Sequence, residues 1–154
     1  MKRHLPATAA AVVVTAVAGG LGTDVRSSWY DDLDKPAWQP PPVAFPVAWT
    51  TLYALIAVAS ARVLDRASTP ERRAFARALG VNLALNTGWT WLFFTARKPR
   101  WALLEILALE ASTLDLARRA RRVDPAAHAL LSPYAGWVGF ATALNASIAR
   151  RNAP

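Results

Sequence analysis

Three acidic side chains interrupt an otherwise apolar stretch and are the first candidates for chemistry. Glu105, Glu110 and Asp115 recur every five residues, which separates successive side chains on a helix by ~140°. They therefore do not share one face, and the spacing argues against a carboxylate pair for acid–base catalysis. Snorkelling, or pairing with Arg97 or Arg100, explains Glu105, and a functional role for this residue stays open.

Residues that most metal sites and nucleophiles need are scarce. The chain has no cysteine and two histidines, His4 and His128. His4 lies in a basic N-terminal segment and His128 follows a loop without nearby partners, so neither predicts a zinc site or a Ser-His-Asp triad. We therefore predict two interfacial histidines, no metal site and no required cofactor.

A polar stripe runs along one predicted helix. Asn82, Asn86, Trp89 and Phe93 are spaced i, i+4, i+7, i+11, so they share one face. Because an unpartnered amide is costly to bury, this face should point into a helix bundle. The asparagines either contact a ligand or only join helices through hydrogen bonds.

A ridge of small residues follows the opposite face of the same helix. Gly80, Ala84 and Gly88 are spaced i, i+4, i+8, and Gly80 points ~200° away from Asn82. Small residues let another helix approach the backbone closely. The ridge predicts a homodimer contact, and packing within the subunit is the alternative.

Aromatic residues mark one face of two further predicted helices. Trp49 and Trp137 come a turn or two inside their segments, deeper than an interfacial aromatic belt, beside the small residues Ala48 and Ala141. A pocket walled by indole rings and a few amides suits a large, flat, apolar ligand. The two faces comprise Phe45, Trp49, Tyr53 and Ile56 on one helix, and Trp137, Ala141, Leu144 and Ile148 on the other.

Long apolar runs supply the elements that position these residues. A bilayer core requires ~20 mostly apolar residues per helix; four runs meet this length free of charge, and a fifth holds the three acidic residues between arginine clusters. The sequence predicts one domain, residues 1–154, an all-α membrane protein folded as a five-transmembrane-helix bundle. The predicted spans are Leu5–Thr23, Pro36–Ala61, Ala78–Ala96, Trp101–Ala117 and Pro125–Ala149.

Basic residues mark the ends of these spans. The chain is 54% hydrophobic and 18% charged, with a net charge of +8. Its basic residues form no stripe with interleaved aromatics, so we predict no nucleic-acid partner. One set of loops carries eleven Lys and Arg residues, counting Lys2 and Arg3, and the other set carries seven. This bias predicts a cytoplasmic N-terminus; it does not distinguish a bacterial inner from an outer membrane.

The first apolar run also has features of a cleaved signal peptide. Lys2 and Arg3 precede it, and Ala16-Val17-Ala18 is similar to a cleavage site. The polytopic remainder favours an uncleaved first helix that serves as its own targeting signal.

Four segments carry a resemblance to a known family. They read W-Y-D-D-L-D-K-P-A-W-Q-P-P-P at 29–42, Phe45 with W-T-T-L-Y at 49–53, N-L-A-L-N-T-G-W-T-W-L-F-F at 82–94, and L-L-S-P-Y-A-G-W-V-G-F-A-T-A-L-N at 130–145. In this order and spacing they resemble the tryptophan-rich sensory protein and translocator protein (TspO/MBR) family, also called the peripheral benzodiazepine receptor family. The segments span nearly the whole chain, which makes the resemblance far more specific than one short motif.

The resemblance implies a membrane-embedded five-helix bundle, usually a homodimer. Such proteins bind porphyrins such as protoporphyrin IX or heme, cholesterol in some members, and benzodiazepine-type ligands, between the first loop and the helices. In members that resemble light-dependent porphyrin-degrading enzymes, the implicated tryptophans match Trp49 and Trp137. Carried over by motif, the ligand-binding residues are Trp38, Phe45, Trp49, Asn86, Trp89, Phe93, Trp101, Trp137, Ala141 and Leu144.

Two departures from the family pattern bear on ligand choice. The family usually has glutamine where Asn82 stands, which shortens that polar arm by one methylene. The cholesterol motif of animal members needs a tyrosine followed closely by Lys or Arg. Tyr134 has no basic residue within five positions, so cholesterol recognition by that route is not expected.

Three functions compete on these observations. The first is a membrane receptor, sensor or carrier that binds porphyrins and related apolar ligands in a tryptophan-lined pocket. The second is an enzyme that degrades porphyrin in the light, drawing on the chemistry of the bound porphyrin and of tryptophan. The third is a tetrapyrrole or sterol transporter, although five spans do not divide into the equal repeats common in transporters.

Overall fold

The computed structural model describes residues 3–153. Met1, Lys2 and Pro154 lie outside this part of the chain, and so do the predictions that used Lys2, in the loop-charge count and in the possible signal peptide. Within 3–153 the chain forms helices and no β-strand, which confirms the all-α prediction. Five helices are long and one is short. They are α1 (Leu5–Gly22), α2 (Ser28–Asp31), α3 (Ala44–Arg66), α4 (Thr69–Thr90), α5 (Pro99–Val123) and α6 (Pro125–Arg151); a π-helical turn (Trp91–Thr95) extends α4.

Local capping signals set the starts of the helices. The Glu71 carboxylate accepts a hydrogen bond of 3.0 Å from the backbone N–H of Ser68, one half of a capping box that begins α4. Pro99 and Pro125 begin α5 and α6, because proline suits the first helical turn. The helix that carries the predicted third span is longer than the span at its start, since α4 begins at Thr69 and the span was predicted from Ala78.

The predicted second span was wrong at its start. Residues 36–43 form turns and irregular chain, and α3 begins at Ala44 instead of Pro36. Four prolines lie within 36–42, and each removes a backbone donor and restricts the residue before it. This proline-rich segment instead completes the first loop, which lies over the aromatic ends of the helices.

The five long helices form a closed ring. In spatial order the neighbours are α1, α3, α6, α5 and α4, and α4 packs back against α1. The interior is apolar, with Ile56, Leu116 and Leu131 fully buried. Outward faces are apolar as well, since Val14 is 67% exposed and Leu21 is 77% exposed. Apolar surface on both the inside and the outside of a bundle suits a lipid surrounding.

Two helices are long and apolar enough to cross a membrane by composition alone. These are Leu5–Gly22 and Ala44–Arg66. The other three long helices carry charged residues at their ends, and α5 also carries acidic residues along its length. Their length of 22 residues or more still exceeds the ~20 that a bilayer core requires.

The π-helical turn fastens α4 to α1. The Trp91 indole N–H donates to the Ala18 carbonyl at 3.0 Å, and the Thr95 hydroxyl donates to the Gly22 carbonyl at 2.9 Å. A Cβ atom at Gly22 would lie 2.8 Å from the Trp91 ring. Glycine is therefore required here by close approach of the indole, not by backbone conformation.

Candidate functional site

Two indole rings meet where α3 and α6 pack together. The ring centroids of Trp49 on α3 and Trp137 on α6 lie 6.5 Å apart, nearly perpendicular at 85°. Phe45, one turn before Trp49, packs edge-on against Trp137 at 5.9 Å. Perpendicular ring pairs are favourable without fixing a unique geometry. The sequence-predicted faces of the second and fifth spans therefore do meet, at their aromatic residues.

The first loop extends this contact to the surface. Trp38 packs edge-on against Phe140 at 5.9 Å, and Phe140 in turn lies 5.4 Å from Trp137. The Trp38 side chain is 50% exposed, so it lies over the rim rather than inside. We call Trp38, Phe45, Trp49, Trp137 and Phe140 the indole cluster.

A second aromatic group lies under the same loop. Trp89 and Phe93, both on the predicted polar stripe, stack at 5.5 Å, and Trp29 packs edge-on against Phe93 at 5.9 Å. Leu144 belongs to this group and Ala141 to the larger core beside Trp137. Trp89 packs against both groups of residues.

The loop above the rings is fastened to the end of α6 and braced by a contact within the loop. Asn152, just after α6, exchanges two hydrogen bonds with the backbone of Asp34, at 2.9 and 3.0 Å. The Lys35 ammonium lies 4.5 Å from the centre of the Tyr30 ring. Burial raises the pKa of the Tyr30 hydroxyl, a hydrogen bond from Gln39 opposes this, and the nearby Asp31 charge adds to it. Tyr30 is therefore a neutral phenol at physiological pH.

Below the rings, a chain of hydrogen bonds crosses the bundle. Tyr53 donates to Asn86 Oδ1 at 2.8 Å, and Asn86 donates to the Tyr134 hydroxyl at 3.2 Å. Tyr134 donates to Asn82 Oδ1 at 3.0 Å, and Asn82 donates to the Thr113 hydroxyl at 2.9 Å. We call these five residues the polar chain. It joins α3, α4, α6 and α5 at one level.

The polar chain gives each of the two predicted asparagines a structural role. Asn82 is fully buried and Asn86 is 3% exposed, and their amides are satisfied by neighbouring helices. This arrangement matches the alternative in which the asparagines join helices. Asn86 also lies next to the rings, because its partner Tyr53 stacks on Trp49 at 5.4 Å.

Sequence reasoning missed Tyr134, Thr113 and Asn145. Tyr134 is fully buried and packs edge-on against Trp49 at 6.3 Å. Asn145 accepts a hydrogen bond from the Trp89 indole and donates to the Pro99 carbonyl, both at 2.9 Å. A signal existed for Tyr134, since it precedes Trp137 by three residues and shares its helix face. Thr113 gave no signal, because threonine is common on any helix face.

Trp101 lies apart from the other predicted binding residues. Its side chain is 63% exposed on the outward face of α5. It lines a separate groove of 420 Å³ together with Leu92, Lys98, Leu104 and Glu105. The structure therefore does not bring Trp101 to the indole cluster.

Glu105 corrects an expectation from the sequence. Both carboxyl oxygens are buried and have no hydrogen-bond partner among residues 3–153, so pairing with Arg97 or Arg100 was wrong and the carboxyl does not reach solvent. Its Oε1 lies 3.5 Å from the position a Cβ atom would take at Gly88. The missing side chain of Gly88 thus leaves room for Glu105.

The small-residue ridge is divided between two uses. Gly80 and Ala84 are exposed, and nothing lies within 4 Å of a Cβ built at Gly80. Gly88 instead faces α5 within the subunit. At Gly88 the ridge therefore packs within the subunit, as in the alternative interpretation. For Gly80 and Ala84 the homodimer contact stays a prediction.

The two histidines occupy helix ends, and neither approaches the rings. His4 Nδ1 hydrogen-bonds the Asp65 carboxylate, which fastens the start of α1 to the end of α3. His128 Nδ1 lies 3.0 Å from the Ala117 carbonyl. In the described part of the chain, no three His, Cys, Asp or Glu residues group as they would around a metal ion.

The chain is similar to known proteins over most of its length. The model of the TspO/MBR family matches residues 7–151. Protein CrtK of Rhodobacter capsulatus is 37% identical over 142 residues, covering 91% of this chain and 89% of that protein.

Two further relatives carry names that describe a role. The tryptophan-rich sensory protein of Cereibacter sphaeroides is 36% identical, over 80% of this chain and 77% of its own length. The translocator protein of Ovis aries is 35% identical, over 86% of this chain and 82% of its own length. The similarity thus extends across bacterial and animal proteins and covers the rings, the polar chain and the first loop together.

Proposed function

Because this chain belongs to the TspO/MBR family, a family of membrane proteins, we propose that it binds a porphyrin-type tetrapyrrole between the first loop and the helix bundle. All five long helices cross the bilayer in this proposal, with the N-terminus in the cytoplasm. The protein acts as a membrane receptor, sensor or carrier, and protoporphyrin IX or heme is the ligand to test first.

The indole cluster is the observation that carries this proposal. Its rings come from the first loop, α3 and α6, and successive centroids lie 5.4 to 6.5 Å apart. Such contacts are dispersive and non-directional enough to re-form around a flat aromatic guest. Trp38, half-exposed at the rim, loses the fewest contacts when its ring moves aside. A ligand therefore enters by moving the first loop and stacks between Trp49 and Trp137.

Polar groups at the edge of the cluster suit the ring nitrogens and side groups of a tetrapyrrole. Gln39 Oε1 is buried and, among residues 3–153, has no hydrogen-bond partner. The Tyr53 hydroxyl donates to Asn86 and keeps its lone pairs available as acceptors. Ligand pockets typically combine apolar walls with a few such groups. In this proposal the site comprises Trp38, Phe45, Asn86, Trp89, Phe93, Ala141 and Leu144 around the two central indoles.

A dark titration tests the binding proposal. Purified protein in detergent is titrated with protoporphyrin IX while tryptophan fluorescence and the porphyrin absorption band are followed. We expect saturable binding with one porphyrin per chain and strong quenching, because several of the seven tryptophans lie near the site. Binding no tighter than to empty micelles would contradict the proposal.

One observation favours light-dependent porphyrin degradation as the second candidate. Trp49 is in ring contact with Tyr53, Tyr134 and Trp137, so the positive charge left when the excited porphyrin takes an electron from its indole would be stabilised by neighbouring aromatic groups. Illuminating the titrated complex in air separates the two functions. A stable product spectrum in the wild type that is lost in Trp49→Phe at saturating porphyrin would favour the enzyme; equal bleaching in both favours the receptor.

A homodimer through α4 completes the proposal. Gly80 and Ala84 are exposed on that helix, and small residues allow a second copy to approach closely. Ala84→Leu should convert a dimer into a monomer in analytical ultracentrifugation without weakening porphyrin binding. A control change, Ala108→Leu on the exposed face of α5, should leave the dimer intact.

A further inference from the structure

A groove on the outer surface carries a feature that tetrapyrrole binding does not use. It lies between the π-helical turn and the first half of α5, holds 420 Å³ and is lined by Leu92, Lys98, Trp101, Leu104 and Glu105. We call it the α4–α5 groove. It lies apart from the indole cluster, and none of its residues belongs to that cluster.

The unpartnered carboxyl of Glu105 requires an occupant with polar character. Both oxygens are buried and no described residue bonds to them. Leaving a buried polar group unpaired is unfavourable, and more so if it is charged. Gly88 has no side chain and leaves room for the carboxyl on the α4 side, and Glu105 is one of the residues that line the groove. As a carboxylic acid, Glu105 has one O–H to donate.

Charge and polarity change in order along the groove. Lys98 stands just before α5, Trp101 one turn into it, and Glu105 a turn further, so the three residues follow one side of the helix at i, i+3 and i+7. Lys98 and Glu105 are two turns or ~10 Å apart along the axis, and the Glu105 side chain leans back toward the helix start. Exposed Arg97 and Arg100 flank Lys98.

We propose that the α4–α5 groove binds one ester-linked anionic phospholipid of the bilayer, with its phosphate on Lys98 and an ester carbonyl accepting from Glu105. Trp101 lies at the depth of an interfacial aromatic residue, which places Lys98 among headgroups and Glu105 just below them. Leu92 and Leu104 add apolar surface beside Trp101. This inference rests on the proposed crossing of the bilayer by α5, and not on porphyrin binding.

A second copy of this chain fits the groove less well. The exposed part of the small-residue ridge, Gly80 and Ala84, offers no side-chain donor or acceptor to Glu105, and it has no anion for Lys98. A phospholipid offers a phosphate for Lys98 and an ester carbonyl for Glu105. Basic residues next to a membrane surface favour anionic headgroups.

Native mass spectrometry with paired lipids tests the assignment. Delipidated protein in detergent receives phosphatidylglycerol with ester-linked chains, or the diether analogue, which has no ester carbonyl. We expect one ester lipid per chain in the wild type and about fivefold weaker retention of the diether lipid, the factor that one hydrogen bond of ~1 kcal/mol supplies. Equal retention of the two lipids would overturn the proposal.

Variants locate the preference. Glu105→Leu should lose the ester-over-ether preference, while Glu105→Gln, which keeps an N–H donor, should retain it. Lys98→Ala should weaken both lipids and keep the preference. Glu110→Leu, which removes the other partly buried glutamate of α5, is the matched control and should behave as wild type; a loss there equal to that of Glu105→Leu would overturn the assignment.

Two further measurements separate the lipid proposal from the homodimer proposal and from the porphyrin proposal. Lipid retention by the Ala84→Leu monomer but not by the wild-type dimer would show that a second subunit fills the groove, and would overturn the lipid assignment. The dark porphyrin titration of Glu105→Leu should match that of the wild type. Failure of the lipid experiment therefore leaves the porphyrin proposal standing, and the reverse holds as well.

Discussion

The indole cluster and the polar chain lie next to each other and are built on opposite principles. In the polar chain, Asn82, Asn86 and Tyr134 each donate a hydrogen bond of 2.9 to 3.2 Å to the next residue of the chain. In the indole cluster the rings touch at 5.4 to 6.5 Å, through contacts that tolerate small movements. The difference teaches that directional hydrogen bonds fix the helices at one level of the bundle, while ring contacts hold the level above it, where the proposed ligand would insert.

The largest expected effect comes from a substitution that interrupts the polar chain. Tyr134→Phe removes a fully buried hydroxyl and leaves a donor of Asn86 and an acceptor of Asn82 unpaired. We expect a loss of stability on the order of 1–3 kcal/mol, measured by unfolding in mixed detergent micelles.

Tyr53→Phe is the matched control for this loss. Tyr53 ends the polar chain and is only partly buried, so its removal should destabilise less than that of Tyr134. Equal losses for the two variants would mean that the chain does not act as a continuous buried network.

The next effect tests whether the aromatic end contains a fixed contact of its own. Gly22→Ala places a Cβ atom 2.8 Å from the Trp91 ring, and over-packing of this kind typically costs ~1–3 kcal/mol. Because the indole lies near the surface and has room to shift, we expect the lower part of that range. Gly20→Ala, where nothing lies within 4 Å, should be neutral or stabilising in the same unfolding assay.

A smaller effect is expected within the indole cluster. Trp49→Phe keeps an aromatic ring beside Tyr53 and Trp137, so stability and dark porphyrin affinity should each fall by ~1 kcal/mol. Parallel unfolding and titration experiments measure both. A loss larger than that of Tyr134→Phe would reverse the comparison and make the indole cluster the fixed element.

The smallest effect concerns pH at the far end of the bundle, outside both regions. Burial opposes ionisation of Asp124, but hydrogen bonds from Arg62 and from the Ala126 backbone outweigh it and hold the pKa of this carboxyl below its usual value. A lowered folded-state pKa contributes stability above the unfolded pKa of ~4, and this is lost as the pH falls through the folded value.

Melting curves between pH 7 and pH 3 measure this contribution. The advantage of the wild type over Asp124→Asn should be constant above about pH 4 and shrink below it. An advantage that grows on acidification would contradict the assigned sign.

Periodic patterns in the sequence predicted which side chains face the interior of the bundle. The stripe of Asn82, Asn86, Trp89 and Phe93 does face the interior, because helical spacing alone decides which residues share a face. The indoles of α3 and α6 meet for the same reason. Helix ends were less predictable where prolines or capping residues lay inside or outside an apolar run, as at Pro36 and Thr69.

Partners across helices were not predictable, because they depend on the rotation and depth of each helix. Nothing in the local pattern pairs Asn82 with Thr113 or Trp89 with Asn145. Glu105 was expected to find an arginine nearby in sequence, but its side chain packs toward Gly88 on another helix. The resemblance places Trp101 among the binding residues, yet its position on α5 turns it outward.

Fluorine NMR of protein labelled with 5-fluorotryptophan tests the central claim most directly. The seven tryptophans report on both aromatic groups, on the α1 contact and on the α4–α5 groove, and single Trp→Phe variants assign their signals. On adding protoporphyrin IX in darkness, the signals of Trp38, Trp49 and Trp137 should shift most, while those of Trp91 and Trp101 stay in place. A shift confined to Trp91 or Trp101, or none at all at saturating porphyrin, would contradict a ligand site in the indole cluster.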